Sequence, residues 1–303
     1  MSTTVTTSQA YATLKATLEK IVTDDSDGYE KKAVYKQYMK IETMKDNYVD
    51  ELSNGGPGVA TEKAEGQALD VMGLNNGYQT RYQSRKHGLI MQITEELDDD
   101  GKYNSDYIDA ARRMKRAVFK AMEIDNAQIL NRVHNSDYAG GDGVALGSSS
   151  HTIPGGGTFS NTLATAFSPS RAALIVVRQN LMVMPGWDGV TEGYLPTKVV
   201  CPPAQWGAWS GILGSEKVPE SGNNEINLAA DMGLGKVVAV PYWTGSTTNW
   251  LVLTDAAQLK CKVRKAPKAR TWYSEETEII NHGISARWAR GYSDPRAVYT
   301  SNA

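Results

Sequence analysis

NSDYIDAARRMKRAVFKAMEIDNAQILNRV, residues 104–133, combines unbroken helical periodicity with an absence of glycine and proline over its whole length. Apolar side chains return at Tyr107, Ala111, Met114, Val118, Ala121, Met122, Ile129 and Val133, which places them on one face of a helix. Asn104 or Ser105 supplies an N-cap, Asp106 sits at the positive end of the macrodipole and Arg132 at the negative end. At 1.5 Å per residue the rod is on the order of 43 Å long, about twice an ordinary globular helix. Such a helix reads as a spine that crosses domains. The opposite face carries Arg112, Arg113, Lys115, Arg116 and Lys120; with Glu123 and Asp125 following and no aromatics interleaved, it reads as a solvated or inter-subunit face rather than a nucleic-acid contact.

The remaining composition narrows the class. With 303 residues, 41% of them hydrophobic and 22% charged, the chain has room for a large core in one or two domains. A net charge of −2 gives no bulk attraction to DNA or to an anionic membrane. Cys201 and Cys261 lie inside apolar strand-like runs, which suits buried, reduced thiols. The first ten residues lack a secretory pattern, and no apolar run approaches the ~18 residues of a membrane span. Tyr (15) and Trp (7) far outnumber Phe (3), a bias toward rings favoured at interfaces.

Ahead of the spine, residues 8–22 read as a short amphipathic arm, and Thr23–Gly28 as a turn that lacks the closing glutamate of a calcium loop. Ser53–Gly58 breaks the chain. Asn75, Asn76 and Gly77 between Leu69–Leu74 and Tyr78–Ile93 predict a long β-hairpin, since Asn-Gly suits a tight turn. Its polar arms predict a projecting ribbon held by another molecule. Glu95–Asp100 has no His or Cys beside it and reads as complementing the helix N-terminus rather than as a metal site. No cofactor or metal is expected.

After the spine, residues 135–161 form a Gly- and Ser-rich loop whose glycines miss the phosphate-binding spacing, and His151 beside Ser148–Ser150 lacks a nucleophile elbow. Ser168-Pro169 is expected to open a buried helix running to about Met184. Lys198–Cys201, Lys236–Val240 and Trp250–Leu253 read as strands, and Trp206, Trp209, Ile212 and Leu213 as a helical stripe. Alternation at Leu259, Cys261 and Val263, and at Ile280, His282, Ile284, Ala286 and Trp288, predicts long strands with one buried and one wet face; His282 reads as a core histidine.

The order of these parts, with GGPGVATEKAEGQALDV (55–71), YQTRYQSRKHGLIMQITEELDDDG (78–101), DGVALGSSSHT (142–152), YLPTKVVCPPAQWGAW (194–209) and VVAVPYW (237–243), resembles the Hong Kong 97-type major capsid proteins of tailed bacteriophages, most closely Mu-like major head subunits. The resemblance runs from about Gly55 to the C-terminus. It implies an α+β fold with an N-terminal arm (1–54), an E-loop hairpin (59–97), a peripheral domain (98–165 and 251–303) with spine helix 104–133, and an axial domain (166–250). It further implies a non-enzymatic shell protein of the virion capsid, made and assembled in the host cytoplasm, forming hexamers and pentamers of an icosahedral head that encloses double-stranded DNA. Portal, scaffold and decoration proteins are the implied partners, with no membrane. No long scaffolding segment precedes the arm, which implies a separate scaffold protein or an already short form. An encapsulin-type nanocompartment is the alternative within the fold, and a hydrolase using His151 or residues 95–100 the distant one.

In the type member of that family a hairpin lysine condenses with a neighbour's asparagine. Here Val71–Thr80 lacks lysine, and Lys63 and Lys86 are expected roughly 30 Å from the turn, so the resemblance implies a non-covalent shell. The expected inter-subunit residues are Asn75, Asn76, Gly77, Tyr78, Arg81, Tyr82 and Arg85 on the hairpin and Arg116 on the spine.

Overall fold

The computed structural model describes residues 16, 19–20, 31–54, 59–69, 71, 76–94, 104–165, 167–217 and 225–302. Most of the amphipathic stretch 8–22, the Thr23–Gly28 turn, Asn75, the acidic run 95–100 and the side chains expected to cap the spine lie outside the described residues.

The spine forms as one helix, α2 (Asn104–Asn131). Ala111, Val118, Met122, Ala127 and Leu130 on its inner face are at most 2% exposed. They pack against a four-stranded sheet ordered β1-β10-β11-β4, comprising β1 (Lys40–Thr43), β4 (Arg85–Thr94), β10 (Lys260–Ser274) and β11 (Ile279–Gly291). β10 and β11 pair antiparallel with Thr271 opposite His282 and Val263 opposite Trp288. The register shifts between Lys265 and Lys268, where Pro267 cannot donate to the ladder. His282 is fully buried on this sheet, accepting or donating at Nδ1 with the Thr271 hydroxyl at 2.8 Å, and burial pushes its imidazole below the ordinary range.

Two charged positions expected to face water are buried. Lys115 on the spine is 4% exposed and Lys262 on β10 5%. Glu123, expected on the polar side, is also buried, because its carboxylate accepts the N–H groups of Val34 (2.6 Å) and Tyr35 (3.1 Å) at the start of α1 (Tyr35–Tyr38). Burial raises that carboxyl despite these two bonds.

The second sheet is ordered β12-β9-β7-β8, with β7 (Pro196–Cys201), β8 (Val238–Ala239), β9 (Trp250–Thr254) and β12 (Val298–Ser301). Successive residues face opposite cores. Val200, Leu251 and Val298 join the spine's core, while Val199, Cys201, Trp250, Val252 and Tyr299 join a second core under α3 (Arg171–Met182) and α4 (Trp206–Gly214). Although the expected partition assigns 251–303 to the spine's domain, β9 and β12 thus complete the sheet of the inserted α/β unit. The cap of α3 is Ser170, which accepts the Ala173 N–H, rather than Ser168. In α4 Trp209 is fully buried, but Trp206 is 53% exposed.

The expected Asn-Gly hairpin is not formed. β3 (Asn76–Gln83) pairs antiparallel with β2 (Tyr48–Asn54), with Asn76 opposite Asn54, and β4 continues from β3 past Ser84 to pair with β11. Leu69 lies outside any strand. Gly77 serves close approach rather than a turn: a Cβ there would sit 2.3 Å from the Ser53 carbonyl oxygen, and its φ is not positive. The connection that leaves the β2–β3 pair is therefore 55–75, and its described residues 59–69 and 71 are all exposed. Lys63 lies midway along it, so the distance argument against a covalent link does not stand.

Val118→Asp, which puts an unpaired carboxylate at a 2% exposed site, is expected to cost roughly 4 kcal/mol or more and to yield insoluble protein. Arg116→Ala, on the exposed face, is expected to stay within about 0.5 kcal/mol of wild type by denaturant unfolding.

Candidate assembly interface

Of the residues expected to meet a neighbour, Asn76, Gly77, Tyr78, Arg81 and Tyr82 lie on β3 at the base of the 55–75 connection, where β2 and β3 meet the ends of β10 and β11, whereas Arg116 lies apart on the spine. The junction is held by charge. Lys262 Nζ pairs with Glu42 (3.0 Å) and with Glu51, and Lys260 Nζ with Glu51 (2.7 Å). Glu51 also accepts the Ser293 hydroxyl, and Tyr82 Oη is 2.8 Å from Ser293 Oγ. Lys262 Nζ lies 4.8 Å from the Tyr82 ring centroid, adding a cation–π contact. Ser53 Oγ donates to the carbonyls of both Tyr78 (3.0 Å) and Ser293 (2.9 Å), although one hydroxyl proton serves one acceptor at a time. Burial alone would raise the Glu51 carboxyl, but hydrogen bonds from Lys260, Lys262 and Ser293 outweigh it and bring it down to about 2.

The individual sites then sort themselves. Tyr82 is 1% exposed and belongs to this junction, so it is corrected from a neighbour-facing residue to an internal one. Tyr78 also turns inward in part, with its hydroxyl 2.5 Å from Thr152 Oγ1 and its ring edge-on to Trp187. Arg81 makes two 2.7 Å bonds to Asp50 and lies over the Tyr48 ring, so its carboxylate partner is in its own chain rather than in a neighbour. Arg85 and Arg116 stay exposed, and Asn76 opens β3. Sequence reading missed Glu51, Lys260 and Lys262; the signal was there in Lys260 and Lys262 flanking Cys261, but their acids lie 209 and 211 positions away.

The loop after the spine is also internally tied. His151 is fully buried, its Nδ1 is 2.5 Å from Asp142 and its Nε2 3.1 Å from Asn161 Oδ1. The Asn161 amide is oriented by donating to the carbonyls of Leu146 and Pro295. Both ring nitrogens are therefore engaged by Asp142 and Asn161 rather than by any of the serines at 148–150. A neighbouring clamp seats buried Arg296 between the rings of Phe159 (4.3 Å) and Trp187 (4.2 Å).

Residues 77–301 match the family model described as phage capsid protein. The chain belongs to the phage capsid protein family. Similar solved structures share the Hong Kong 97 fold at low identity. One from Mycobacterium phage Adephagia has a TM-score of 0.53 at 10% identity, covering 89% of this chain and 87% of that one. The crystal structure of a virus-like particle from Pyrococcus furiosus gives 0.52 at 10%, covering 95% and 98%. The capsid of the cyanophage P-SCSP1u gives 0.51 at 11%, covering 86% and 84%. Among curated proteins none matches. As a major capsid protein, the molecule is a structural component of the virion capsid, and the charged junction is the rigid root from which its exposed connection leaves.

Glu51→Gln in this capsid protein removes the charge shared by Lys260 and Lys262 at nearly constant shape, and is expected to destabilise the subunit by about 2 kcal/mol at neutral pH. Because the folded carboxyl is depressed, its contribution is full above the ordinary glutamate range and disappears as pH falls toward about 2. Urea midpoints of wild type and variant should converge across that window; a pH-independent difference would assign Glu51 a packing role instead.

Proposed function

We propose that this capsid protein closes an icosahedral head of hexamers and pentamers around packaged double-stranded DNA, with the 55–75 connection laid over a neighbouring subunit. The observation that carries this reading is the exposed apolar surface of that connection: Val59 is 63% exposed, Leu69 74% and Val71 100%. Large aliphatics on a connection outside the strands need a partner surface. In a shell each such overlap is weak and the closed assembly is strong through multivalency.

On this reading the unit at 166–250 is the axial domain pointing to the capsomer centre, where exposed Trp206, Ile226 (73%) and Leu228 (56%) meet their symmetry mates. Residues 98–165 and 251–303 form the peripheral domain, with β9 and β12 shared between the two. Of the expected arm (1–54), residues 33–54 pack within their own chain through Tyr35, Tyr38, β1 and β2, so the part that overlaps a neighbour is cut back to the residues ahead of them. The protein is Mu-like in its local strings, has no enzymatic role, and assembles in the host cytoplasm with a portal, a scaffold and decoration proteins as partners. The DNA is enclosed rather than read, consistent with the balanced charge of the chain.

Electron microscopy of the purified protein with nuclease-protected DNA measured alongside tests this. Closed heads are expected, with protected DNA when the protein is taken from virions. Shells filled with a protein cargo in place of DNA would assign the chain to the nanocompartment class, and unassembled monomers under all conditions would reject the shell reading. Leu69→Asp with Val71→Asp should leave subunit stability within about 1 kcal/mol of wild type, since both side chains are exposed. The same double variant should lower the yield of closed heads.

A further inference from the structure

A second unmatched surface lies between the C-terminal half of α2 and the end of β11. There a cleft of about 630 Å³ gathers Arg81, Arg85, Arg132 and Arg290 around one lining carboxylate, Asp125. Asp125 is already occupied, pairing with Arg290 and accepting the Trp288 indole N–H at 2.7 Å. Arg81 is committed to Asp50. Arg85 and Arg132 have no carboxylate within ion-pairing distance among the described residues, and Arg132 instead stacks 3.9 Å from the Tyr138 ring centroid. The excess of positive charge reaches its neighbours. The Arg290 guanidinium is depressed by burial and by Arg85, and His87 by burial, Arg290 and Arg85. An anion in the cleft would offset the part of this that comes from the neighbouring guanidinium groups.

The opposite end of the same sheet is acidic. The turn joining β10 to β11 exposes Glu275, Glu276 and Glu278, the last with φ +51, a fixed shape that few non-glycine residues adopt. Glu278 and Arg290 are twelve residues apart on one extended strand, roughly 40 Å at ~3.3 Å per residue. They therefore cannot meet within one molecule.

We propose that the arginine cleft of one copy receives the Glu275–Glu278 turn of a second copy, a head-to-tail contact between subunits. This rests on the shell reading and specifies one of its contacts. Unlike ends in contact generate rings or nets rather than closed pairs, as shell building requires. Guanidinium forks suit carboxylates bidentately, and the attraction steers encounter and weakens with salt.

The test is a charge swap in the full chain: Arg85→Glu with Arg132→Glu, Glu275→Lys with Glu276→Lys, and all four together. Circular dichroism and thermal unfolding check that each variant folds. Each one-sided variant is expected to lose particle yield by about tenfold or more at moderate salt, with the fourfold swap restoring most of it. One-sided variants that assemble normally, or a fourfold swap no better than either, would overturn the contact. So would a cleft variant that builds heads in normal yield but loses nuclease-protected DNA, since the cleft would then hold phosphate. If the wild type forms no particles the shell reading fails by itself. Sedimentation of the soluble subunits then decides the contact separately: self-association in wild type, lost in one-sided variants and regained in the swap, supports it, and its absence overturns it.

Discussion

The architecture depends on a sheet that is buried on both faces. In β12-β9-β7-β8 alternate residues feed two different cores, Val200, Leu251 and Val298 on one side and Cys201, Trp250, Val252 and Tyr299 on the other. A sheet with no wet face cannot slip register without driving every side chain into the wrong core. It therefore fuses the inserted α/β unit to the spine and its long sheet as one mechanical body. For a shell protein this has a direct consequence. A force applied to the insert is passed to the spine through packed side chains.

The second constraint is electrostatic and sits at the root of the exposed connection. Taking Lys262 out of water is costly, and the cost is met by two carboxylates, a serine and an aromatic face held in fixed geometry. The benefit is orientation. β2 and β3 leave the body at an angle set by Glu51, Ser53, Tyr82 and Ser293, so the residues of the connection are exposed while their base is fixed. The ties at His151 and Arg296 do the same for the loop after the spine. Such polar anchors specify one arrangement where apolar packing alone would tolerate several.

Much of the fold was legible from residue pattern. The spine's stripe fell where expected because a long helix packs one face, whatever surrounds it, and the alternation at Leu259–Val263 and Ile280–Trp288 marked the two long strands. The pairing of β3 was not legible. Asn75-Asn76-Gly77 has the chemistry of a tight turn, yet Tyr48–Asn54 competes for the same strand edge and has Arg81–Asp50 and the Ser53 hydroxyl to secure it. The burial of Glu123 and Lys262 was equally hidden, since what makes each buried charge tolerable is a partner 88 or more positions away in the chain.

The sequence by itself determined the helix spine, the apolar identity of the core strands and the resemblance to capsid proteins, because periodicity and composition are local properties. Tertiary structure alone decided which strand edges joined, that one sheet serves two cores, that Tyr82 turns inward, and that arginines and glutamates collect at opposite ends of the long sheet. Those outcomes rest on contacts between residues separated by tens to hundreds of positions, such as Glu51 with Lys262. Their energies depend on burial and geometry that no local pattern encodes.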